Sequence, residues 1–209
     1  MGKLYLGTEA VNFAVNEKPV DNDTNIMLGV TGNTLCRTNK KFKLPEGVTR
    51  LSASALAYAF YNSPSIEEAD LSQLVEVPGG SALQYAFGSC ANLKKLDLSN
   101  LKTVTGANAL SSLLYGANGV TEIRFDSLET ITGSSCLAYA FRAVPTLTDV
   151  YFPALTPDSF GTSVNQFTDC VRNNTGVTLH FPASVRVNIE RMTGYPNFGG
   201  TNTVILFDL

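Results

Sequence analysis

Hydrophobic positions in this chain recur every 27 residues. Segments 55–77, 82–104, 109–131 and 136–158 align with one another without a gap. Six apolar columns run through the four copies, among them Leu56/Leu83/Leu110/Leu137, Phe60/Phe87/Leu114/Phe141 and Leu71/Leu98/Phe125/Phe152. A fixed period of this length predicts a solenoid, in which stacked coils bury the apolar surface that one coil cannot bury alone.

Each copy contains two kinds of local pattern. Leu96 and Leu98 alternate with polar residues, which predicts a strand with these two side chains inward. Leu83 and Phe87 are four residues apart, which is the spacing of one helix face. We therefore expect a short helix on the return leg, which is the side of each coil opposite its strand. Together they predict a right-handed α/β solenoid.

Weaker copies extend the array at both ends. Residues 41–51 place Phe42 in the Ala69 column, and residues 165–182 place Phe167 in the Phe141 column and Leu179 in the Val150 column. The prediction is therefore a solenoid of about six coils over 41–182, with residues 1–40 as an N-terminal cap or attachment segment. Residues 183–209 are expected to form a C-terminal cap, because a helical stripe of Val185, Ile189 and Met192 precedes a final strand in "TVILFDL".

Composition narrows the function classes. The net charge of −3 gives no general attraction for nucleic acid, and no apolar run reaches the ~18 residues of a membrane span. The N-terminus shows no secretory signal pattern. Cys36, Cys90, Cys136 and Cys170 have no CxxC spacing; we expect Cys136 to be packed and Cys170 to share a buried column with Cys90, and Cys36 has no assignment.

Candidate catalytic chemistry is sparse. His180 is the only histidine and no G-x-S-x-G motif accompanies it, so an exposed strand histidine is expected. The pair Glu67 and Glu68 is expected to be a solvated surface, and "GVTGNT" at 29–34 to be a turn. We therefore expect no enzyme activity, no metal site and no cofactor.

One surface is a candidate binding site. If the columns of Ala69 and Leu71 face inward, two neighbouring columns line the outer strand face, and their residues are Glu68, Lys95, Glu122, Asp149 and Thr178, and Asp70, Asp97, Arg124, Tyr151 and His180. Arg124, Tyr151 and His180 would anchor a ligand, since Tyr and Arg are favoured at binding hot spots. The alternative is an ordinary soluble face. A second strip of Tyr61, Gly88, Tyr115 and Arg142 has the same two interpretations.

The segment "AFGSCANLKKLDLSNLKTV", with "KLPEGVTRL" before the first copy, resembles the BspA-like (Treponema pallidum type) bacterial leucine-rich repeats. The resemblance covers about residues 41–182. It implies a leucine-rich repeat fold and a non-catalytic protein-binding or adhesion module of secreted or surface proteins, also found in genes of gut phages.

The opening "KLYLGTEAV" resembles the first strand of phage tail or virion structural proteins. We therefore expect a phage virion component that acts outside the cell, docks to other virion proteins through residues 1–40 and binds a protein or surface glycan. The alternative is a bacterial cell-surface adhesion module.

Overall fold

The computed structural model describes the backbone of residues 3–6 and 9–12 and the whole of residues 40–209. The chain forms a β-solenoid of about six turns with a period near 27 residues. Its strands are β1 Lys3–Leu6, β2 Glu9–Asn12, β3 Lys41–Lys43, β4 Glu68–Asp70, β5 Glu76–Val77, β6 Lys95–Asp97, β7 Thr103–Val104, β8 Glu122–Arg124, β9 Thr130–Ile131, β10 Asp149–Tyr151, β11 Thr178–His180 and β12 Val204–Leu206.

The two N-terminal strands, β1 and β2, pair antiparallel. The other residues before Lys40, which include Cys36 and the predicted turn at 29–34, lie outside the described residues. The assignment of residues 1–40 as a cap or attachment segment therefore stays a prediction.

The predicted strand row is confirmed. Strands β3, β4 and β6 form one parallel sheet, and β8, β10, β11 and β12 form another. Ala69 pairs with Leu96 and Ile123 pairs with Val150, which are the registers that the 27-residue offset predicts. The column members Phe42, Ala69, Leu96, Ile123, Val150 and Leu179 are all buried.

Identical side chains stack inside the coil, as the repeat predicted. Phe125 and Phe152 lie with ring centroids 5.1 Å apart and nearly parallel, and Phe152 and Phe181 repeat that geometry at 5.1 Å. In the earlier coils the stacked pair is Phe60 and Phe87 on the return leg, at 5.0 Å. The aromatic ladder thus changes sides of the core at the third copy.

One corner of three successive coils depends on glycine, at Gly79, Gly106 and Gly133. The short strands β5, β7 and β9 form a third parallel sheet, and the chain turns sharply after each of them. A Cβ on Gly106 would lie 2.2 Å from the carbonyl oxygen of Gly79, and one on Gly133 would lie 2.2 Å from that of Gly106. Because no side chain fits at this distance, the backbones approach closely only where glycine recurs.

The return legs are not helices, so the α/β part of the prediction is wrong for them. Every second residue of a return leg donates its backbone amide to a carbonyl of the next coil, as Leu56 does to Ala82 and Tyr58 does to Gln84. The residues between them donate to the carbonyl three residues earlier in the same coil, as Ala57 does to Ser54. Every fourth residue, such as Ser54 and Tyr58, has a left-handed φ near 56°. Each return leg is thus a series of turns that is hydrogen-bonded to the return leg of the next coil. Because these turns repeat every four residues, their apolar spacing resembles that of a helix.

The fifth return leg is displaced relative to the predicted alignment. The Leu137 amide donates to Gln166 and the Phe141 amide to Cys170, so Phe167 lies beside Leu137 and not in the Phe141 column. Cys170 accordingly lies beside Ala140, and Asn174 takes the place that Cys90 has in its coil. The insertion responsible contains the 3₁₀ turn Pro157–Ser159.

The strand row is interrupted between β6 and β8. The Leu71 amide donates to Asp97 and the Phe125 amide to Tyr151, but within residues 40–209 the Leu98 amide makes no equivalent bond to Arg124. Other sides of the same two coils remain joined, since the Phe87 amide donates to Leu113 and the Glu129 amide to Lys102. The sheet therefore opens locally on its outer face.

The C-terminal segment packs onto the last coil. After a 3₁₀ turn at Ala183–Val185 and helix α1 at Arg186–Glu190, β12 adds in parallel to β11, as predicted for the final strand. Val185, Ile189 and Met192 are buried. No helix among the described residues has the length and apolar character needed to cross a membrane.

Truncation in the core column should be costly. Leu98 is 1% exposed, so we expect Leu98→Ala to lower the free energy of unfolding by ~2 to 5 kcal/mol through lost burial and a residual cavity. Chemical unfolding followed by circular dichroism measures this. Val187→Ala, at a residue that is 76% exposed, is the control and should change it by less than ~0.5 kcal/mol. Equal stability of the two variants would contradict the inward assignment of Leu98.

Candidate functional site

The predicted strip lies on the outer strand face. Backbone pairing sets Glu68 beside Lys95 and Asp70 beside Asp97, and it sets Asp149 between Glu122 and Thr178. The structure thus brings together the members of each half of the strip, and the opening between β6 and β8 separates the two halves.

Charges in the first half are largely paired with one another. Lys41 contacts Glu68 at 2.8 Å, Lys43 contacts Asp70 at 3.5 Å, and Lys95 contacts Asp97 at 3.6 Å. Exposed pairs of this kind contribute little to stability, but they neutralise the face locally. This half therefore presents few charges that lack a counterion.

The second half is a preassembled stack of three side chains. The Arg124 guanidinium lies 4.3 Å from the centre of the Tyr151 ring, and Tyr151 stacks on His180 with centroids 4.2 Å apart. Arg124 is also held by Asp126 at 3.0 Å and Glu122 at 3.6 Å. These contacts fix the Arg124 side chain before a ligand arrives, which lowers the entropy cost of binding.

His180 is not the exposed anchor that the sequence predicted. It is 8% exposed, with Nε2 3.0 Å from Asp149 and Nδ1 3.1 Å from Asp208. The hydrogen bond from His180 holds the pKa of Asp149 below its usual 3.8. His180 therefore stacks on Tyr151 and binds the C-terminal segment through Asp208. The sequence analysis missed Asp208 because the 27-residue repeat does not extend to that residue.

A cleft of about 240 Å³ adjoins Arg124 where β6 and β8 separate. Leu96 is 8% exposed there, whereas its column neighbours Ala69 and Ile123 are each 1% exposed. The lining residues are Lys95, Leu96, Asp97, Leu98, Ser99, Glu122, Arg124 and Asp126. Four of the ten residues of the predicted strip thus surround one opening, a feature that the regular repeat gave no reason to expect.

The second strip is broader than the sequence predicted. Tyr61 and Tyr115 are joined by Tyr58, Tyr85 and Tyr139 on neighbouring turns of the return legs. Arg142 lies 5.3 Å from the centre of the Tyr115 ring. The signal was available in the sequence, because Tyr58, Tyr85 and Tyr139 share one column of the 27-residue repeat.

The described cysteines are buried, as predicted. Burial raises the pKa of Cys90 to about 11 and that of Cys136 to about 12, and it also raises the pKa of Cys170. In residues 40–209 and the two N-terminal strands, no three His, Cys, Asp or Glu side chains are grouped as metal ligands.

Comparisons with known proteins give a distant structural likeness. No protein family matches the chain, and no curated protein does so. Among solved structures, the crystal structure of the pneumococcal vaccine antigen PcpA is similar at a TM-score of 0.43 and 12% identity, over 82% of this chain and 42% of that chain. This chain therefore spans less than half of that protein's length, and the likeness is too distant to assign a family or a function.

Acid should weaken the interaction between His180 and Asp149. Because the folded pKa of Asp149 is depressed, its contribution to stability is fully present above about pH 4 and is lost as the pH falls through the folded pKa. We expect Asp149→Asn to flatten the fall in unfolding free energy below about pH 4. Urea unfolding between about pH 3 and 6 measures the slope.

The control for this experiment is Asp158→Asn, an exposed carboxylate with no ion pair in residues 40–209. It should leave the slope near that of the unmodified protein. An identical slope in Asp149→Asn and the unmodified protein would contradict the proposed role of the His180 hydrogen bond.

Buried thiols should resist alkylation. At pH 8, iodoacetamide should label Cys90 and Cys136 slowly in the native protein and rapidly in urea, because the thiolate is the reactive form and burial disfavours it. Peptide mass spectrometry measures each site. Rapid native labelling of Cys90 would show that its surroundings are open to solvent.

Proposed function

We propose that this chain is a non-catalytic recognition and assembly protein whose ligand-binding face is the strand-side strip. The observation that carries the proposal is the preassembled Arg124–Tyr151 pair beside the 240 Å³ cleft. Tyr and Arg are the side chains most often found at binding hot spots, and here each is fixed by neighbours.

The chemistry of the face favours a polar ligand. Arg124 and Lys95 can contact carboxylate or phosphate oxygens, while Asp97, Glu122 and Asp126 can accept hydrogen bonds from hydroxyl or amine groups. The half-buried Tyr151 ring adds apolar contact area. This mixture suits a protein or a surface glycan.

The place of action is part of the proposal. The resemblance of residues 41–182 to BspA-like leucine-rich repeats, and that of the opening strand to phage structural proteins, supports a virion component that acts outside the cell. In this view residues 1–40 dock to other virion proteins and the solenoid presents its strand face to the host. No step of catalysis, metal or cofactor is invoked.

Binding to intact bacteria tests the face. The fluorescently labelled protein is titrated against cells of a panel of gut bacteria. Arg124→Ala should weaken binding by about tenfold or more, as expected for a hot-spot residue, with a melting temperature within a few degrees of the unmodified protein. Lys43→Ala, on the same face but in an earlier coil, is the matched control and should change binding by less than about twofold. Undiminished binding by Arg124→Ala would remove this residue from the site.

Immunogold electron microscopy tests the place of action. Antibody raised against the protein is applied to phage particles and to bacterial cells that carry the gene. Gold on the tail or capsid is the expected result. Gold confined to the outer surface of bacteria would replace the virion proposal with the adhesion alternative, and gold confined to the cell interior would contradict both.

A further inference from the structure

The return legs carry a continuous aromatic surface, here called the tyrosine face, formed by Tyr58, Tyr61, Tyr85, Tyr115, Tyr139 and Arg142. The ring centroids of Tyr58 and Tyr85 are 4.9 Å apart and nearly parallel, and Tyr115 meets Tyr85 edge-on at 5.8 Å. Tyr61 lies across Gly88, where a Cβ would come within 2.8 Å of its ring. Tyr58 is 47% exposed, and the other members of the face are half-buried.

The tyrosines occupy a backbone position that does not suit them. Tyr58, Tyr85 and Tyr139 have φ of 57°, 53° and 57°, in the left-handed region that bulky side chains rarely adopt. Ser112 and Asp169 take the equivalent positions of neighbouring coils with φ of 55° and 51°. Small polar residues therefore satisfy the same backbone, and the fold does not require an aromatic side chain there.

Arg142 lacks an anionic partner. Its guanidinium lies 5.3 Å from the centre of the Tyr115 ring and 5.9 Å from that of Tyr139, and within residues 40–209 no carboxylate pairs with it. Its Nε is buried without a hydrogen-bond acceptor. The corresponding residue of the next coil, Arg172, contacts Asp169 at 3.1 Å. The guanidinium therefore carries its charge without a counterion among the described residues, and a carboxylate supplied from outside would pair with its terminal nitrogens.

We propose that the tyrosine face is a second docking surface, for a protein partner that presents a carboxylate to Arg142. A protein is favoured over a glycan because Tyr85 stacks on Tyr58 with one ring face and meets Tyr115 edge-on, whereas a sugar ring needs an open ring face. Rigid tyrosines that are partly accessible to solvent, as these are, provide contact area at low entropy cost. The proposal is independent of the strand-side site, because it uses residues of the return legs.

Selection from a phage-displayed library of random twelve-residue peptides tests this surface. Peptides that bind the immobilised unmodified protein are retained. Those that also bind the doubly substituted protein Tyr85→Asn/Arg142→Gln are removed. The surviving peptides should be enriched in Asp and Glu. Their affinity should fall about tenfold or more in Arg142→Gln, as expected for loss of a charge-assisted pair.

Control variants separate the face from general surface chemistry. Arg172→Gln and Arg124→Ala should leave the affinity of these peptides within about twofold, because the first arginine is already paired and the second lies on the strand side. Tyr139→Asn should weaken the peptides without lowering the melting temperature, because Asn accepts the left-handed backbone that Tyr139 occupies. A structural role of Tyr139 would instead lower the melting temperature and leave binding intact.

Two results would overturn the proposal. The first is selection of peptides without acidic enrichment, or with affinity that Arg142→Gln does not change. The second is self-association in sedimentation equilibrium that Arg142→Gln abolishes, since the occupant would then be a second copy of this chain. Neither result bears on capture of bacteria through Arg124, so failure here leaves the strand-side proposal standing.

Discussion

Hydrogen bonding between successive coils is the constraint on which this structure depends. A single turn of the solenoid satisfies only part of its own backbone hydrogen bonding, so its remaining amides must donate to the carbonyls of a neighbouring turn, as those of Leu56, Tyr58 and Phe60 do. Register is therefore fixed wherever two coils are hydrogen-bonded to each other. Every side chain then sits above its counterpart, which is why apolar residues recur at one interval and why the corner glycines, Gly106 and Gly133, share it.

The same constraint makes departures from regularity informative. The row of hydrogen-bonded strands is interrupted between β6 and β8. At the same point the stacked phenylalanines change from Phe87 on the return leg to Phe125 on the strand side. Charged and polar side chains, together with Leu96 and Leu98, line the resulting cleft. An interior that repeats perfectly offers a flat outer face, whereas an interrupted one supplies a recess with charged groups at its rim.

The two outer surfaces differ in how their charges are satisfied. On the strand side, Arg124 is held between Asp126, Glu122 and Tyr151, so it is both paired and fixed. On the return legs, Arg142 has aromatic neighbours but no described counterion. The first arrangement favours a small polar contact at a rigid point, and the second favours a partner that covers several rings and brings its own carboxylate.

The sequence by itself determined the period, the strand row and the inward columns, because stacking forces equivalent residues to be similar and the similarity can be seen in one chain. The sequence led to a wrong prediction of helix for the return legs. The reason is that a helix repeats about every four residues, and so do turns that are hydrogen-bonded to a neighbouring coil. Tertiary structure alone decided the displaced fifth leg, the cleft, and the burial of His180 between Asp149 and Asp208. Each of these depends on how one coil meets a different neighbour or the tail, and a repeat pattern carries no record of such unequal contacts.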